Sequence, residues 1–281
     1  MRKTQILLSI IGASLLAGCS TVGPSGKGEF KDNQHALAFK RTITKNIGYE
    51  YLLFLPKGYE AQADKKWPLI LFLHGSGERG TNVWLVSVHG PPKLVKPVVE
   101  APKNETPEAR AQRELAMKKL SENFIVISPQ CPANERWDND TLLGLLDHIN
   151  ATHRVDTSRV YLTGLSMGGF GTWSLGVRYA DRFAALAPIC GGGERIDILI
   201  AGRKNKAALQ STAVWAFHGG KDTTVPPEES DKMIAAMKKA GATDLQLTIY
   251  PEAGHDSWTA TYANPKLYDW FLQHHRAPAA K

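Results

Sequence analysis

A serine, an aspartate and a histidine are spaced along this 281-residue chain in a way that would support nucleophilic catalysis. Ser166 lies in the stretch TGLSMGGFG, where glycines leave room for a sharp turn and for a closely approaching substrate. A serine hydroxyl is a weak nucleophile unless a base removes its proton, and the base needs an acid that orients it. His255, in YPEAGHDSW, is the candidate base, and Asp222, in FHGGKDTTVP, is the candidate acid.

Competing residues fit these two roles less well. His74 and His218 fall in His-Gly pairs at the ends of strand-like runs, which favours structural roles. The remaining histidines lie in a helical pattern, near the end of the chain, or without a partner pattern. Asp256 competes for the role of the acid, but its position next to His255 makes it awkward for its carboxylate to face that ring. Asp222 is therefore the preferred acid.

Eight strand-like runs predict the scaffold that positions these residues. The first two, RTITKNI and YEYLLFLP, are joined by a turn at Gly48 and predict an antiparallel hairpin. The other six are nearly continuous in apolar residues, as parallel strands covered on both faces should be. These six runs span 68–74, 124–129, 159–164, 183–189, 213–219 and 245–251. Helical periodicity between most of them predicts an α/β fold with a mostly parallel eight-stranded sheet flanked by helices.

The candidate residues all follow predicted strands, and ligands of such sheets bind at the carboxyl ends of the strands. Ser166 follows the fifth run in the pattern G-x-S-x-G, with a predicted helix after it. Asp222 follows the seventh run and His255 follows the eighth. A strand, a serine in this pattern and a helix form a nucleophile elbow, and the order serine, acid, histidine is that of α/β-hydrolases.

Attack of a serine on a carbonyl group also requires donors for the negatively charged oxygen that develops. The amide of Met167, directly after the nucleophile, is one predicted donor. The amide of Ser76, in the loop LHGSGERG after the third run, is the other. The glycines of this loop also match the dinucleotide pattern G-x-G-x-x-G, but the prolines of HGPPKLVKP occupy the place of the required helix. We therefore assign these glycines to an oxyanion loop and expect no cofactor.

Four stretches carry a resemblance to a known family: LFLHGSGERG, VYLTGLSMGGFGTW, WAFHGGKDTTVP and YPEAGHDSW. They span most of residues 40–272. They resemble α/β-hydrolases of the secreted esterase and predicted-peptidase group, which is related to bacterial feruloyl-esterase-like and polyhydroxybutyrate-depolymerase-like enzymes. The resemblance implies hydrolysis of carboxylic esters through an acyl-enzyme. Small soluble, carbohydrate-linked, phenolic-acid-linked and polymer-borne esters are all compatible with it.

Two other functions stay open on the sequence. A serine peptidase of the prolyl-oligopeptidase-like type would use the same residues, although no gating domain or charged specificity pocket is evident. A catalytically silent binding lipoprotein on a hydrolase fold is the second, and the intact set of Ser166, Asp222 and His255 argues against it. Transfer of the acyl group to an alcohol other than water is also compatible with these residues.

The N-terminus predicts export. MRKTQILLSIIGASLLAGCS has a basic start, an apolar stretch and small residues near its end, which is typical of a secretory signal and too short for a spanning helix. Its end resembles a bacterial lipobox, which predicts lipidation of Cys19 and anchoring to the cell envelope. Ser20 favours the outer membrane if the cell is Gram-negative, and simple secretion without Cys19 is the alternative. The predicted segments are a signal peptide (1–18), a flexible tether (19–36), a catalytic domain (37–276) and a tail (277–281).

Three tryptophans and two cysteines fall on the predicted catalytic edge. Trp84, Trp137 and Trp258 lie in loops there and would stack on a phenolic or sugar group, with loop packing as the alternative. Cys131 and Cys190 follow the fourth and sixth runs, and a disulfide between them is attractive in an exported protein. Three strand spacings would separate them by about 14 Å, whereas bridged Cα atoms lie within ~7 Å. The sequence leaves the disulfide open.

Charge and motif content argue against several other functions. The formal charge is +7, but the basic residues are scattered, so a nucleic-acid surface is not supported. No H-E-x-x-H, paired C-x-x-C or carboxylate-rich loop indicates a metal site. About 23 residues separate the sixth and seventh runs, too few for a large cap domain. The sequence therefore predicts an open cleft and gives no indication of the oligomeric state.

Overall fold

The computed structural model describes residues 30–31, 34–100 and 105–276. Two compact units are distinguished, one up to Asn46 and one from Ile47 onward. The first contains a short antiparallel ladder of β1 (Phe30–Lys31) and β2 (Gln34–His35). The predicted signal peptide, the lipidation site Cys19 and the predicted tail lie outside the described residues.

Seven strands form the main sheet of the second unit. They are β3 (Tyr51–Phe54), β4 (Trp67–Leu73), β5 (Ile125–Pro129), β6 (Val155–Leu165), β7 (Ala185–Ile189), β8 (Ala213–Gly219) and β9 (Leu245–Tyr250). Their order is β3-β5-β4-β6-β7-β8-β9, with β3 antiparallel to β5 and every other pair parallel. The mostly parallel sheet predicted from the six apolar runs is thus confirmed.

The predicted hairpin is wrong, because the run RTITKNI (41–47) is not a strand. Its two isoleucines are largely exposed, at 77% for Ile43 and 50% for Ile47. An alternating pattern forms a stable strand only where its apolar face is buried, and this face is largely exposed. The sheet accordingly has seven strands rather than eight. Of the two runs predicted to form the hairpin, only the second forms a strand, β3.

Helices cover both faces of this sheet. In the described part of the chain they are α1 (Gly90–Leu94), α2 (Pro107–Asn123), α3 (Asn139–Thr152), α4 (Met167–Arg178), α5 (Arg195–Lys204), α6 (Lys206–Ser211), α7 (Glu228–Lys239), α8 (Trp258–Ala263) and α9 (Pro265–Gln273). Three short 3-10 helices span Ser76–Glu78, Val83–Val88 and Ala180–Arg182. None of the described helices combines the length and apolar character needed to cross a bilayer.

Strand β4 shows why the sheet needs cover on both faces. Its residues alternate between two apolar clusters, with Leu69, Leu71 and Leu73 in one and Ile70 and Phe72 in the other. All five side chains are fully buried. Burial of each contributes about 2 kcal/mol to the free energy of folding. The core therefore holds the strand ends, and the loops that follow them, on a rigid base.

The connection between β7 and β8 contains only two short helices, α5 and α6. This agrees with the expectation that no large cap domain is inserted at this point. The loops at the carboxyl ends of β4, β6, β8 and β9 are therefore not covered by an inserted domain between β7 and β8.

Candidate active site

The turn at Ser166 joins β6 to α4 in a strained backbone conformation. Its φ of 51° and ψ of −116° lie in a region that residues other than glycine rarely adopt. Strand and helix approach closely here: a Cβ atom on Gly168 would lie 1.9 Å from the carbonyl oxygen of Leu73. A Cβ atom on Gly164 would lie 2.4 Å from the carbonyl oxygen of Gly168. The glycines around Ser166 are thus required by backbone packing, as a nucleophile elbow requires.

The structure brings the three candidate catalytic side chains together. His255 Nε2 lies 2.9 Å from Ser166 Oγ, and His255 Nδ1 lies 2.7 Å from Asp222 Oδ2. Since a carboxylate oxygen only accepts hydrogen bonds, Nδ1 carries the proton that is donated to Asp222. Nε2 is left to accept the hydroxyl proton of Ser166. The arrangement can therefore move a proton from the serine to the histidine.

Asp222 is a buried carboxylate whose oxygens are well supplied with donors. Its Oδ1 accepts hydrogen bonds from the amides of Thr224 and Val225, both at 2.9 Å. Burial by itself would raise its pKa, but the hydrogen bonds from His255 and from these two amides outweigh burial and hold the pKa below the usual value. Asp222 therefore remains ionised and can stabilise a protonated His255.

Asp256, the competing acid, points to a different partner. Its carboxylate accepts hydrogen bonds from the amide and the hydroxyl of Thr259, at 2.9 and 2.8 Å. The side chain is exposed, and its bonds to Thr259 attach it to the first turn of α8. Asp222, rather than Asp256, is thus the acid that faces His255.

The two predicted oxyanion donors lie at the same cavity as Ser166. Met167 is the first residue of α4, and Ser76 is the first residue of the 3-10 helix Ser76–Glu78. The amide of a first helical residue has no acceptor within its helix. Both residues line a cavity of about 550 Å³ that also contains Ser166. An ester carbonyl bound at Ser166 would therefore lie beside two amides without helical partners.

A buried histidine holds the loop that carries Ser76. The side chain of His74 donates from Nδ1 to the carbonyl oxygen of Gly75 at 2.5 Å and accepts at Nε2 from the amide of Cys131 at 3.0 Å. Burial lowers the pKa of His74 to about 4, so the ring stays neutral and keeps this pattern. Glu78 adds a hydrogen bond from the amide of Gly75, at 3.0 Å. The predicted structural role of His74 matches this geometry.

The cavity also contains residues that the sequence did not single out. Phe170, one helical turn after Ser166, contributes an aromatic side chain that is 40% exposed. Arg79 donates to the carbonyl oxygens of Ser76 and Glu135, at 3.0 and 3.2 Å. Phe170 could have been predicted, because it lies four residues after Ser166 and therefore on the same face of the predicted helix. Arg79 could not be found in this way, because its partner Glu135 is distant in the chain.

The three predicted rim tryptophans have different positions. Trp137 lines the cavity and donates from its indole nitrogen to the carbonyl oxygen of His74, at 3.3 Å. Trp258 packs edge-on against His255, with ring centroids 5.4 Å apart. Trp84 is 70% exposed and is not among the residues that line the cavity. Trp137 thus lines the cavity at Ser166, and Trp258 lies beside the candidate base.

The disulfide that the sequence left open is not formed. Cys131 and Cys190 are both buried free thiols. They follow β5 and β7, and β4 and β6 lie between these strands, so the strand order separates the two residues. Burial raises the pKa of Cys131 to about 11 and that of Cys190 to about 12, which keeps both sulfurs protonated and unreactive at neutral pH.

Comparison of the sequence with known proteins gives one family. The model of the Dienelactone hydrolase family matches residues 50–269. A putative carboxymethylenebutenolidase of Yersinia pestis is 31% identical over 140 residues, which cover 45% of this chain and 51% of that protein. Poly(3-hydroxyalkanoate) depolymerase C of Paucimonas lemoignei is 50% identical over 48 residues, 17% of this chain and 12% of that protein. The chain thus spans about half of the first relative's length.

Solved structures share the fold. A thermostable esterase superposes with a TM-score of 0.61 at 29% identity, over 80% of this chain and 59% of that one. A ferulic acid esterase superposes with a TM-score of 0.56 at 22% identity, over 78% of this chain and 89% of that one. These neighbours agree with an α/β-hydrolase architecture for the unit that contains Ser166.

Proposed function

The chain belongs to the dienelactone hydrolase family, and from this premise we propose that it is a serine hydrolase of carboxylic esters. The observation that carries the proposal is the continuous set of hydrogen bonds from Ser166 Oγ through His255 to Asp222. This set opens into a cavity that is large enough for a small ester. The similarity to proteins named as esterases and depolymerases supports the same reaction.

The first half of the reaction forms an acyl-enzyme. As Ser166 Oγ attacks the ester carbonyl, its proton passes to Nε2 of His255, and the ionised Asp222 stabilises the resulting imidazolium. The amides of Met167 and Ser76 donate to the oxyanion of the tetrahedral intermediate. When the intermediate collapses, His255 returns the proton to the departing alcohol, and the acyl group remains on Ser166.

The second half regenerates the enzyme. Water enters in place of the alcohol, and Nε2 of His255 removes a proton from it as it attacks the acyl carbonyl. The same amides stabilise the second oxyanion. The free acid leaves when the proton on His255 returns to Ser166 Oγ. The departing alcohol and the attacking water thus exchange protons with the same atom, Nε2 of His255, one after the other.

The proposed substrates are small soluble esters and esters linked to carbohydrates or phenolic acids, including polymer-borne ones. Two features support this class. No large cap is inserted between β7 and β8, and Trp137 and Phe170 contribute aromatic side chains beside Ser166. Aromatic side chains provide flat surfaces on which phenolic and sugar rings stack.

Export and lipid anchoring at Cys19 are also part of the proposal, and they rest on the N-terminal sequence alone. In a Gram-negative cell the expected destination is the outer membrane. A Cys19→Ser variant is expected to lose the membrane-bound pool of the protein in cell fractionation. Equal membrane-bound pools in the variant and the wild type would contradict the anchor.

Hydrolysis of p-nitrophenyl acetate tests the reaction. We expect Ser166→Ala to lower kcat/KM by about 10⁴-fold or more, because the nucleophile is lost. Ser174→Ala is the matched control, since Ser174 lines the same cavity and its hydroxyl accepts a hydrogen bond from Asn139. Its activity should stay within about threefold of the wild type. Equal rates for Ser166→Ala and the wild type would refute the serine mechanism.

A further inference from the structure

A second histidine contacts the carboxylate of Asp222. His218, near the end of β8, is fully buried, and its Nε2 lies 3.3 Å from Asp222 Oδ2. The same oxygen lies 2.7 Å from His255 Nδ1. Two imidazole rings therefore share one oxygen of the proposed catalytic acid. The reaction described above makes no use of His218.

The partners of His218 determine where its proton lies. Nε2 is 2.9 Å from the carbonyl oxygen of Val225, which only accepts hydrogen bonds, as does the carboxylate of Asp222. Nε2 must therefore carry a hydrogen, which it donates to the Val225 carbonyl oxygen while Asp222 Oδ2 lies 3.3 Å away. At the other end of the ring, Nδ1 lies 2.7 Å from Ser230 Oγ. The ring is thus held between α7 and the loop that carries Asp222.

The hydroxyl of Ser230 continues this set of contacts. Its Oγ lies 3.3 Å from the carbonyl oxygen of Gly191, in the segment that follows β7. Ser230 is 1% exposed, and its single hydroxyl proton can be donated to Nδ1 of His218 or to the Gly191 carbonyl oxygen, but not to both at once. His218 consequently links three parts of the site: the Asp222 loop, the first turns of α7 and the segment behind the Ser166 turn.

Asp222 contacts this ring from the loop after β8, and His255, from the loop after β9, contacts the same carboxylate oxygen. The buried thiol of Cys190 follows β7. Ser230 is the ring's contact on α7 and does not titrate. Asp222 is therefore the charged group on which a donor at His218 Nε2 acts directly.

We propose that His218 is a positioning residue of the triad: its Nε2–H bonds to the carbonyl oxygen of Val225, holds the loop whose amides bind Asp222, and stabilises the negative charge of Asp222 Oδ2 from 3.3 Å. The inference rests on the proposed function. An N–H dipole this close to a carboxylate stabilises its charge without a well-aligned hydrogen bond, so Asp222 attracts the proton on His255 less strongly. The second imidazole therefore keeps His255 available as a base at lower pH than Asp222 alone would.

Three variants test this role. His218→Phe removes the donor at similar ring size, His218→Gln keeps a neutral donor, and Ser230→Ala removes only the hydroxyl that orients the ring. Thr212→Val is the matched control, since among the described residues the buried Thr212 hydroxyl donates to the carbonyl oxygens of Ala180 and Ala208. Thermal unfolding establishes which variants are folded before any kinetic comparison.

The main readout is the pH dependence of kcat/KM for p-nitrophenyl acetate. For His218→Phe we expect the acid limb to move to higher pH by about half a unit, and kcat at neutral pH to fall roughly tenfold with little change in KM. His218→Gln should restore most of both. Ser230→Ala should shift the acid limb in the same direction by a smaller amount, and Thr212→Val should leave it in place.

Two results would overturn the proposal. One is a folded His218→Phe protein with the wild-type kcat and pH profile. The other, if His218→Phe does not fold, is a wild-type profile in Ser230→Ala. The rate of inactivation by phenylmethylsulfonyl fluoride, measured over the same pH range, separates this result from failure of the proposed function. Inactivation of the wild type but not of Ser166→Ala upholds the reactive serine, whatever the His218 variants do.

Discussion

His74 and His218 occupy corresponding places behind two different loops of the candidate active site. Each is a fully buried histidine at the end of a strand, and each is followed by glycine. The ring of His74 bonds to a backbone carbonyl oxygen and a backbone amide and lies 3.8 Å from the carboxylate of Glu78. The ring of His218 bonds to a backbone carbonyl oxygen, contacts the hydroxyl of Ser230 and lies 3.3 Å from the carboxylate of Asp222. The same dipeptide thus holds the predicted oxyanion loop in one place and contacts the proposed catalytic acid in the other.

This difference teaches that the neighbours, rather than the local sequence, decide what a buried histidine does. Burial outweighs the hydrogen bond to Gly75 and keeps His74 neutral although the carboxylate of Glu78 lies 3.8 Å from its Nδ1, so His74 serves as a fixed support. The carboxylate beside His218 is that of the proposed catalytic acid, which would couple this histidine to the reaction itself. We therefore expect substitutions at His74 to change activity by moving the loop after β4. Substitutions at His218 should change activity by altering the stabilisation of the charge on Asp222.

Removing the charge of Asp222 is the most direct test of the contrast between His74 and His218. Asp222→Asn should lower kcat for p-nitrophenyl acetate by about 10⁴-fold, because an amide neither stabilises the imidazolium nor selects the reactive tautomer of His255. Steady-state kinetics at neutral pH measure the effect, with Asp256→Asn as the control. A loss of the same size in Asp256→Asn would show that the acid has been assigned to the wrong residue.

The support at His74 should be visible in the pH dependence of stability. Its pKa is about 4 in the folded protein and 6.5 when unperturbed, so the unfolded chain binds more protons between these values. The free energy of unfolding should therefore decrease as the pH falls from about 6.5 to about 4, by about 2 kcal/mol from this residue.

Urea unfolding at pH 7 and pH 4.5 measures this contribution. His74→Asn should lose less unfolding free energy between these pH values than the wild type does. His148→Asn, at an exposed position, should lose as much as the wild type. If His74→Asn and the wild type lose the same free energy between these two pH values, the folded protein does not hold His74 neutral.

The smallest expected effect concerns the hydrogen bond between Trp137 and the oxyanion loop. Trp137→Phe keeps an aromatic ring beside His74 but removes the donor to the His74 carbonyl oxygen. We expect kcat/KM to fall roughly fivefold because the loop is held less firmly, which corresponds to about 1 kcal/mol in activation free energy. The exposed Trp84, replaced by Phe, is the control. Equal activities of the two variants would argue that this bond does not support the loop.

The strands and the candidate triad were accessible from the sequence because each depends on local pattern. Continuous apolar runs predict buried parallel strands, and the six such runs overlap β4 to β9. Ser166, Asp222 and His255 each follow one of these strands, and the carboxyl ends of parallel strands meet at one edge. Chain order therefore predicted that the three side chains are neighbours before any distance was known.

Other features depended on contacts between distant segments. The run 41–47 alternates like a strand, but it is irregular in the structure, with Ile43 and Ile47 largely exposed. The contact of His218 with Asp222 spans only four residues, but the orientation of the ring depends on Ser230 in α7, which contacts Nδ1. Likewise, Arg79 and Glu135 come together only because the loops after β4 and β5 are adjacent.

The sequence by itself determined which residues end the strands and which of them can exchange a proton, since strand formation and side-chain chemistry are local properties. The tertiary structure decided which buried groups share a hydrogen bond, since that depends on packing between elements distant in the chain. It left Cys131 and Cys190 apart as free thiols. It also placed one buried histidine behind the loop after β4 and the other against Asp222, because only the folded chain brings α7 and the loop after β8 around that second ring.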